Sequence, residues 1–136
     1  MKTGRIALLH LETIPGAVEH NQQVIVEAIK QAASGGAQWI VTPELATCGL
    51  QFARVIGTDW IEPQPDAWMH RLCRLVKDLK RTLFLGCPER DSGRLYNSVF
   101  VINPSSNLFL PLANRFFVSS KRALCNFKSI LFAIYV

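Results

Sequence analysis

The chain has 136 residues, 49% of them hydrophobic, which is a typical size for one domain with one buried core. Its net charge of +5 does not indicate nucleic acid, because residues 1–104 carry eleven basic and ten acidic side chains, a balance of +1, and the other +4 falls in the acid-free residues 105–136. No run reaches the roughly 18 apolar residues of a membrane span, and no signal-peptide cleavage site follows the N-terminus, so a membrane partner is not expected.

Four cysteines are scattered along the chain without a CxxC pair or a Cys/His cluster: Cys48, Cys73, Cys87 and Cys125. This pattern indicates neither a zinc site nor a redox motif, so we expect no metal and no cofactor. Reduced thiols in a soluble, cytoplasmic protein are the simplest interpretation.

Strand and helix patterns alternate through the first part of the chain. The near-continuous apolar run of residues 5–11 (RIALLHL) predicts a strand covered on both faces. Apolar residues then recur at helical spacing over residues 18–33, and a glycine pair follows that stops the helix. Residues 37–43 are rich in β-branched and aromatic side chains and predict a second strand, which completes a βαβ unit.

A second helix and a strand hairpin come next. Periodicity predicts a helix over residues 65–81, and residues 82–87 (TLFLGC) predict a third strand that ends at Pro88. The charge and glycine of the following ERDSGR segment predict a hairpin turn, and residues 95–102 (LYNSVFVI) predict a fourth strand. Four strands and two main helices in this order predict an α/β layered fold.

The pattern changes after Pro104. Residues 105–136 show neither strand alternation nor a helical face with a polar side. We therefore divide the chain into a domain at residues 1–104 and a divergent C-terminal tail at residues 105–136, to which we assign no place in the fold.

The most specific local feature is Glu44, in the segment Ile40-Val41-Thr42-Pro43-Glu44-Leu45. A carboxylate that follows an apolar strand of an α/β sheet lies where such sheets bind ligands, at the carboxyl ends of the strands. The same residues also suit a purely structural interpretation, in which Thr42 caps a helix, Pro43 begins it and Glu44 complements its dipole. The local spacing alone favours the structural interpretation.

Four segments follow one another in order along the chain: RIALLHL, PGAVEHN with Asn21, GGAQWIVTPELATCGLQF, and LFLGCPERDSGRLYNSVFVINP. Together they resemble the N-terminal half of the nitrilase, or carbon–nitrogen hydrolase, superfamily. The resemblance covers about residues 5–104 and implies half of an α-β-β-α sandwich. It also implies a small-molecule amide or nitrile as substrate and a possible homo-oligomer.

The reaction that this resemblance implies uses a Cys-Glu-Lys set. A cysteine thiolate attacks the amide or nitrile carbon, a glutamate acts as general base, and a lysine stabilises the developing negative charge. The resemblance assigns the base to Glu44. This assignment requires the Glu44 side chain to lie against the Tyr96-Asn97 strand and not in bulk water.

The other two members of the set do not match. The lysine position falls near Ala113-Asn114-Arg115, where no lysine stands, so Arg115 and Lys121 are only weak candidates for a replacement. Cys125 lacks the setting of the family's nucleophile. Cys48, Cys73 and Cys87 lie in segments that the family uses structurally, and we expect them to be small buried hydrophobic side chains.

We therefore expect a catalytically incomplete hydrolase, in which a foreign tail follows a true N-terminal half, as a shifted reading frame would produce. A second hypothesis is a non-enzymatic binding or assembly module that keeps half of the fold and exposes an apolar sheet. A third, a nucleotide-binding βαβ domain, lacks the glycine-rich phosphate loop after the first strand.

Overall fold

A computed structural model describes residues 4–104 of the chain and, beyond them, the backbone of two short strands. The elements in chain order are β1 (Ile6–Leu8), α1 (Val18–Ser34), β2 (Trp39–Val41), α2 (Phe52–Ile56), α3 (Ala67–Leu79), β3 (Thr82–Asp91), β4 (Arg94–Ile102), β5 (Leu110–Pro111) and β6 (Phe116–Val118). The α/β class predicted from the sequence is confirmed.

The strands form one mixed sheet in the order β1-β2-β3-β4-β5, and β6 also pairs with β4. β1, β2 and β3 are parallel, because a helix-containing segment connects each of them to the next. β3 and β4 are antiparallel neighbours joined by a tight turn. β5 pairs with β4 at Phe100 and Val101, whereas β6 pairs with it at residues 95–97.

α1 and α3 cover one face of this sheet. In α1 the buried residues recur every four positions, at Asn21, Ile25, Ile29 and Ala33, which gives the helix a single apolar stripe. The α1 stripe packs with Met69, Leu72 and Val76 of α3 against inward side chains of the sheet, which are Ile40, Leu83, Leu85 and Phe100. Each such fully buried side chain contributes about 1.5–3 kcal/mol to folding.

The start and end of α3 are set by local chemistry. The Asp66 carboxylate accepts a hydrogen bond of 2.7 Å from Met69 N and so caps the first turn. Lys80 adopts a left-handed backbone conformation with φ of 55° and ends the helix. The helix is therefore shorter at both ends than the predicted residues 65–81.

The opposite face of the sheet is apolar and partly exposed. Ile6 pairs with Trp39, and Leu8 with Val41, so these side chains lie on one side of the sheet, opposite Ile40. Ile6, Leu8 and Trp39 expose 51%, 78% and 40% of their surface. The row continues through Phe84 and Val101, which are paired with each other and only partly buried. We call this surface, at Ile6, Leu8, Trp39, Val41, Phe84 and Val101, the outer sheet face.

Further sequence predictions need correction. The first strand is Ile6–Leu8 and not residues 5–11, and it is covered on one face only, because Ile6 and Leu8 are exposed on the other. β3 does not end at Pro88 but runs on to Asp91, because Pro88 lies beyond the last β3 residue that pairs with β2 and needs no N–H on that side. The hairpin turn is consequently only Ser92-Gly93. The short helix α2 was not predicted, since five residues are too few for periodicity to show. In the described part of the chain, no helix combines the length and apolar character needed to cross a membrane.

Candidate functional site

Glu44 lies in a turn that follows β2 directly. The chain leaves the sheet at Thr42, and residues 44–48 form a turn in which Leu45 has a positive φ of 50°. Thr42 does not cap a helix here. Its Oγ1 accepts a hydrogen bond of 3.0 Å from Gly86 N and donates one of 3.1 Å to Pro43 O. The helix-capping interpretation of Thr42, Pro43 and Glu44 is therefore wrong, because a turn and not a helix follows Thr42.

The Glu44 turn rests directly on the backbone of β3. A Cβ atom built on Gly86 would lie 2.5 Å from Pro43 O, which is closer than real Cβ atoms approach, and 3.0 Å from Glu44 Cα, which is also tight. Ala46 N also donates a hydrogen bond of 2.9 Å to Gly86 O. Only glycine permits this contact, and a glycine within a strand pattern is the sequence signal that could have revealed it.

The Glu44 side chain points toward β4. Asn97 Nδ2 donates a hydrogen bond to Glu44 Oε1, and Oε2 of the same carboxylate is shielded from solvent. Asn97 is 5% exposed, and its backbone is paired with Pro88 on one side and Phe116 on the other. The carboxylate is therefore held against the Tyr96-Asn97 strand, as the sequence interpretation requires.

Asn97 lies on the same side of the sheet as the outer sheet face. Asn97 and Val101 are four residues apart on one strand, so their side chains point to the same side. The Glu44 carboxylate is thus at the edge of an apolar surface rather than within the helix-covered core. The sequence interpretation places Glu44 against the Tyr96-Asn97 strand but does not identify Asn97 as its hydrogen-bond partner.

Asn21 stabilises the Glu44 turn indirectly, through the loop that precedes α1. Its buried side chain accepts a hydrogen bond from Ile14 N and donates one to Ile14 O, both of 2.9 Å. The loop fixed in this way meets the end of the Glu44 turn, where Gly16 N donates to Cys48 O at 2.8 Å. Asn21 is therefore a structural support for the turn.

A second buried carboxylate, Glu89, belongs to another environment. Glu89 is 4% exposed, and its Oε2 accepts a hydrogen bond of 2.7 Å from Ser98 Oγ. Ser98 follows Asn97 on β4, so the two side chains point to opposite sides of the sheet. Glu89 therefore does not share a site with Glu44.

The described thiols are unsuited to nucleophilic attack. Burial raises the pKa of the Cys48 thiol well above its ordinary value, although a hydrogen bond with Thr47 opposes the effect. Burial also raises the pKa of Cys87, and the nearby Cys48 and Glu89 add to this rise. Burial raises the pKa of Cys73 to about 11, with an opposing contribution from the Arg74 charge. Thiolate, the reactive form, is scarce at all three positions near neutral pH.

The remaining predicted site residues, Arg115, Lys121 and Cys125, lie outside the described residues. The lysines within residues 4–104 are Lys30, Lys77 and Lys80, and all three are exposed on the helix layer. Among the same residues, no group of three or more His, Cys, Asp or Glu side chains could hold a metal ion.

Comparison with known proteins shows which family the chain resembles. A family model described as carbon–nitrogen hydrolase matches residues 5–128. A hydrolase of Schizosaccharomyces pombe is 33% identical over 107 residues, which cover 76% of this chain and 32% of that protein. The chain therefore spans less than half the length of this relative.

Solved structures are similar over the same region. An amidase from Nesterenkonia sp. AN1, in a glutamate-to-glutamine mutant with acrylamide added at its active-site cysteine, is 25% identical with a TM-score of 0.64, over 75% of this chain and 40% of that chain. Nit3 of Saccharomyces cerevisiae, a member of the nitrilase superfamily, has the same fold, with a TM-score of 0.64 at 20% identity over 84% of this chain and 43% of that chain. The chain belongs to the carbon–nitrogen hydrolase family.

Proposed function

We propose that this chain is the N-terminal part of a carbon–nitrogen hydrolase that acts on non-peptide C–N bonds of amides or nitriles, with Glu44 as the general base. The observation that carries the proposal is the Glu44 carboxylate, which a hydrogen bond from Asn97 holds on the outer side of the sheet. A general base needs this kind of fixed position, because an error of about 1 Å in placement is costly for catalysis.

In the proposed reaction on an amide, Glu44 accepts and returns a proton in each of two steps. Glu44 takes the proton of a cysteine thiol as the sulfur attacks the carbonyl carbon, and the carbon–nitrogen bond then breaks. The protonated Glu44 gives the proton to the leaving ammonia or amine. Water then hydrolyses the thioester, and Glu44 again receives and returns a proton.

The thiol and the lysine of this scheme come from outside the described residues. Cys48, Cys73 and Cys87 have pKa values raised by burial, and Lys30, Lys77 and Lys80 are exposed on the helix layer, away from Glu44. We therefore propose that residues 4–104 alone are catalytically incomplete. The outer sheet face, which begins beside Glu44, is the surface where a complementary layer would bring those groups.

A chimera tests the role of Glu44 directly. Residues 5–104 of this chain would replace the matching segment of the Schizosaccharomyces pombe hydrolase, and ammonia release would be measured on a panel of amides and nitriles. We expect turnover that Glu44→Gln lowers by about 10²–10⁴-fold, the usual contribution of general acid–base catalysis. Glu62→Gln, at an exposed glutamate, is the control and should leave the rate unchanged. Turnover that survives Glu44→Gln would refute the assignment.

A second candidate function is a binding or assembly module without catalysis, and the exposure of Leu8, Ile6 and Trp39 favours it. Such a module would pair through the outer sheet face, with a second copy or another chain. Size-exclusion chromatography with light scattering on the purified chain tests this second function, because a monomer that unfolds cooperatively contradicts obligatory pairing.

We also propose that the protein is located in the cytoplasm. The proposal rests on the four scattered cysteines, which form neither a CxxC pair nor a Cys/His cluster.

A further inference from the structure

We infer that Asn97 is a positioning residue that reserves Glu44 Oε1 as a hydrogen-bond acceptor and so assigns the transferred proton to Oε2. The inference rests on the proposed function of Glu44 as a base and adds to it which atom carries the proton. Its starting point is the hydrogen bond from Asn97 Nδ2 to Glu44 Oε1.

The direction of this hydrogen bond decides between the two oxygens. A side-chain amide nitrogen only donates, so the oxygen that it faces must accept in both protonation states of the carboxyl group. A proton on Oε1 would turn that oxygen into a hydroxyl, which is a weaker acceptor than a carbonyl oxygen, and would weaken the hydrogen bond from Asn97. Protonation at Oε2 leaves Oε1 as a carbonyl-type acceptor and keeps the hydrogen bond intact. The arrangement therefore favours proton transfer at Oε2.

The two partners are also held rigidly enough for such a selection. Asn97 lies within β4, between Pro88 of β3 and Phe116 of β6, and its side chain is 5% exposed. Glu44 lies on a turn that contacts β3 closely at Gly86, and Thr42 bonds the same glycine. Groups carried on strands and backed by close contacts keep their geometry better than groups on mobile loops.

The donor has an electrostatic effect as well. A hydrogen bond to the ionised carboxylate favours the ionised form, so its loss should raise the pH at which Glu44 takes up a proton. Asn97 would thus favour the ionised form of Glu44, which is the form that acts as a base.

The test is a carbon-13 NMR titration of glutamate carboxyl groups in the full chain, with the Glu44 signal identified by its absence in Glu44→Gln. We expect the Glu44 midpoint to rise in Asn97→Leu, which has about the size of asparagine but no hydrogen-bond donor, and to rise further in Asn97→Asp, whose own carboxylate adds like-charge repulsion. Ser98→Ala is the control, because Ser98 bonds Glu89 on the other side of β4, and it should leave the Glu44 midpoint in place. An unchanged midpoint in Asn97→Leu would overturn the inference, whatever the result for Asn97→Asp.

A measurement on the unsubstituted chain covers the case in which the variants fail to fold. The Asn97 side-chain amide proton should keep a hydrogen-bonded chemical shift both above and below the Glu44 midpoint. Its loss on protonation of Glu44 would show that Oε1 takes the proton, contrary to the inference. These outcomes are independent of the chimera assay, since Glu44 could be the base with or without the support of Asn97.

Discussion

Gly86 N donates a hydrogen bond of 3.0 Å to Thr42 Oγ1, and this contact connects β3 to the residue at which the chain leaves β2. The turn with Glu44 begins two residues later. The position of the candidate base therefore depends on two residues, Thr42 and Gly86, that have no chemical role in the reaction.

Substitution of Gly86 by alanine should displace the Glu44 turn. The added Cβ would lie 2.5 Å from Pro43 O and 3.1 Å from Leu45 N, and both of these are backbone atoms that cannot rotate away. We expect a loss of about 1–3 kcal/mol in the free energy of unfolding, as for other overpacked sites. Urea unfolding followed by circular dichroism measures it.

Gly35→Ala is the control for this substitution. Gly35 has a φ of −72°, and a Cβ there meets Ala32 O only at 3.4 Å, so alanine fits without strain. Its unfolding free energy should stay within about 0.5 kcal/mol of the unsubstituted chain. Equal stability of the two variants would contradict the close approach at Gly86.

Thr42→Val should be destabilising although valine has nearly the same shape as threonine. The change removes the acceptor of the buried Gly86 N–H, and an unsatisfied buried donor costs about 1–3 kcal/mol. Thr42→Ser keeps the hydroxyl and should recover most of that loss. Unfolding curves of the three chains check this, and a Thr42→Val chain as stable as the original would contradict a structural role for the hydroxyl.

The helices and strands of the fold could be predicted from the sequence, whereas the contacts that hold Glu44 in place could not. Periodicity in α1 and α3 and the apolar strands report burial, which is a property of each residue in its own element. The contacts of Thr42 with Gly86 and of Glu44 with Asn97 join residues 44 and 53 positions apart. No local pattern encodes such a distance, so the resemblance located Glu44 but left its partners unassigned.

The prediction that β3 ends at Pro88 was wrong for a different reason, because it used a local rule without knowledge of the neighbouring strand. A proline within a strand pattern predicts the end of the strand, because it lacks an N–H for the ladder. In the structure, β2 pairs with β3 only as far as Phe84, so the β2 side of Pro88 has no ladder to continue. The sequence does not state where a neighbouring strand stops.

Stability should fall at alkaline pH because of the buried thiols. Burial raises the pKa of Cys48 and Cys87 in the folded chain, whereas the unfolded thiols ionise near 9.0. The folded state therefore keeps its full stability below about pH 9 and loses about 1.4 kcal/mol per pH unit for each such thiol above it. Urea unfolding with reductant at about pH 8 and about pH 10 measures the slope.

Cys48→Ala should reduce that alkaline loss by the contribution of one thiol. Ser34→Ala, at an exposed position that does not titrate in this range, is the control and should retain the full slope. The comparison removes the effect of lysine and tyrosine ionisation, which is common to all variants. A Cys48→Ala chain with the original slope would mean that Cys48 ionises equally easily in both states.

A charge on the outer sheet face should reduce self-association of the purified chain. Leu8 exposes 78% of its surface on β1, an edge strand of the described sheet, so Leu8→Lys should change the chain's own stability by no more than about 0.5 kcal/mol. The lysine would carry its charge into any apolar layer packed on that face, and burying an unpaired charge is costly. Sedimentation velocity over a range of concentrations should therefore show a larger monomer fraction for Leu8→Lys. Leu50→Lys, which alters an exposed leucine outside the outer sheet face, is the comparison, and an equal effect of both changes would mean that association does not use this face.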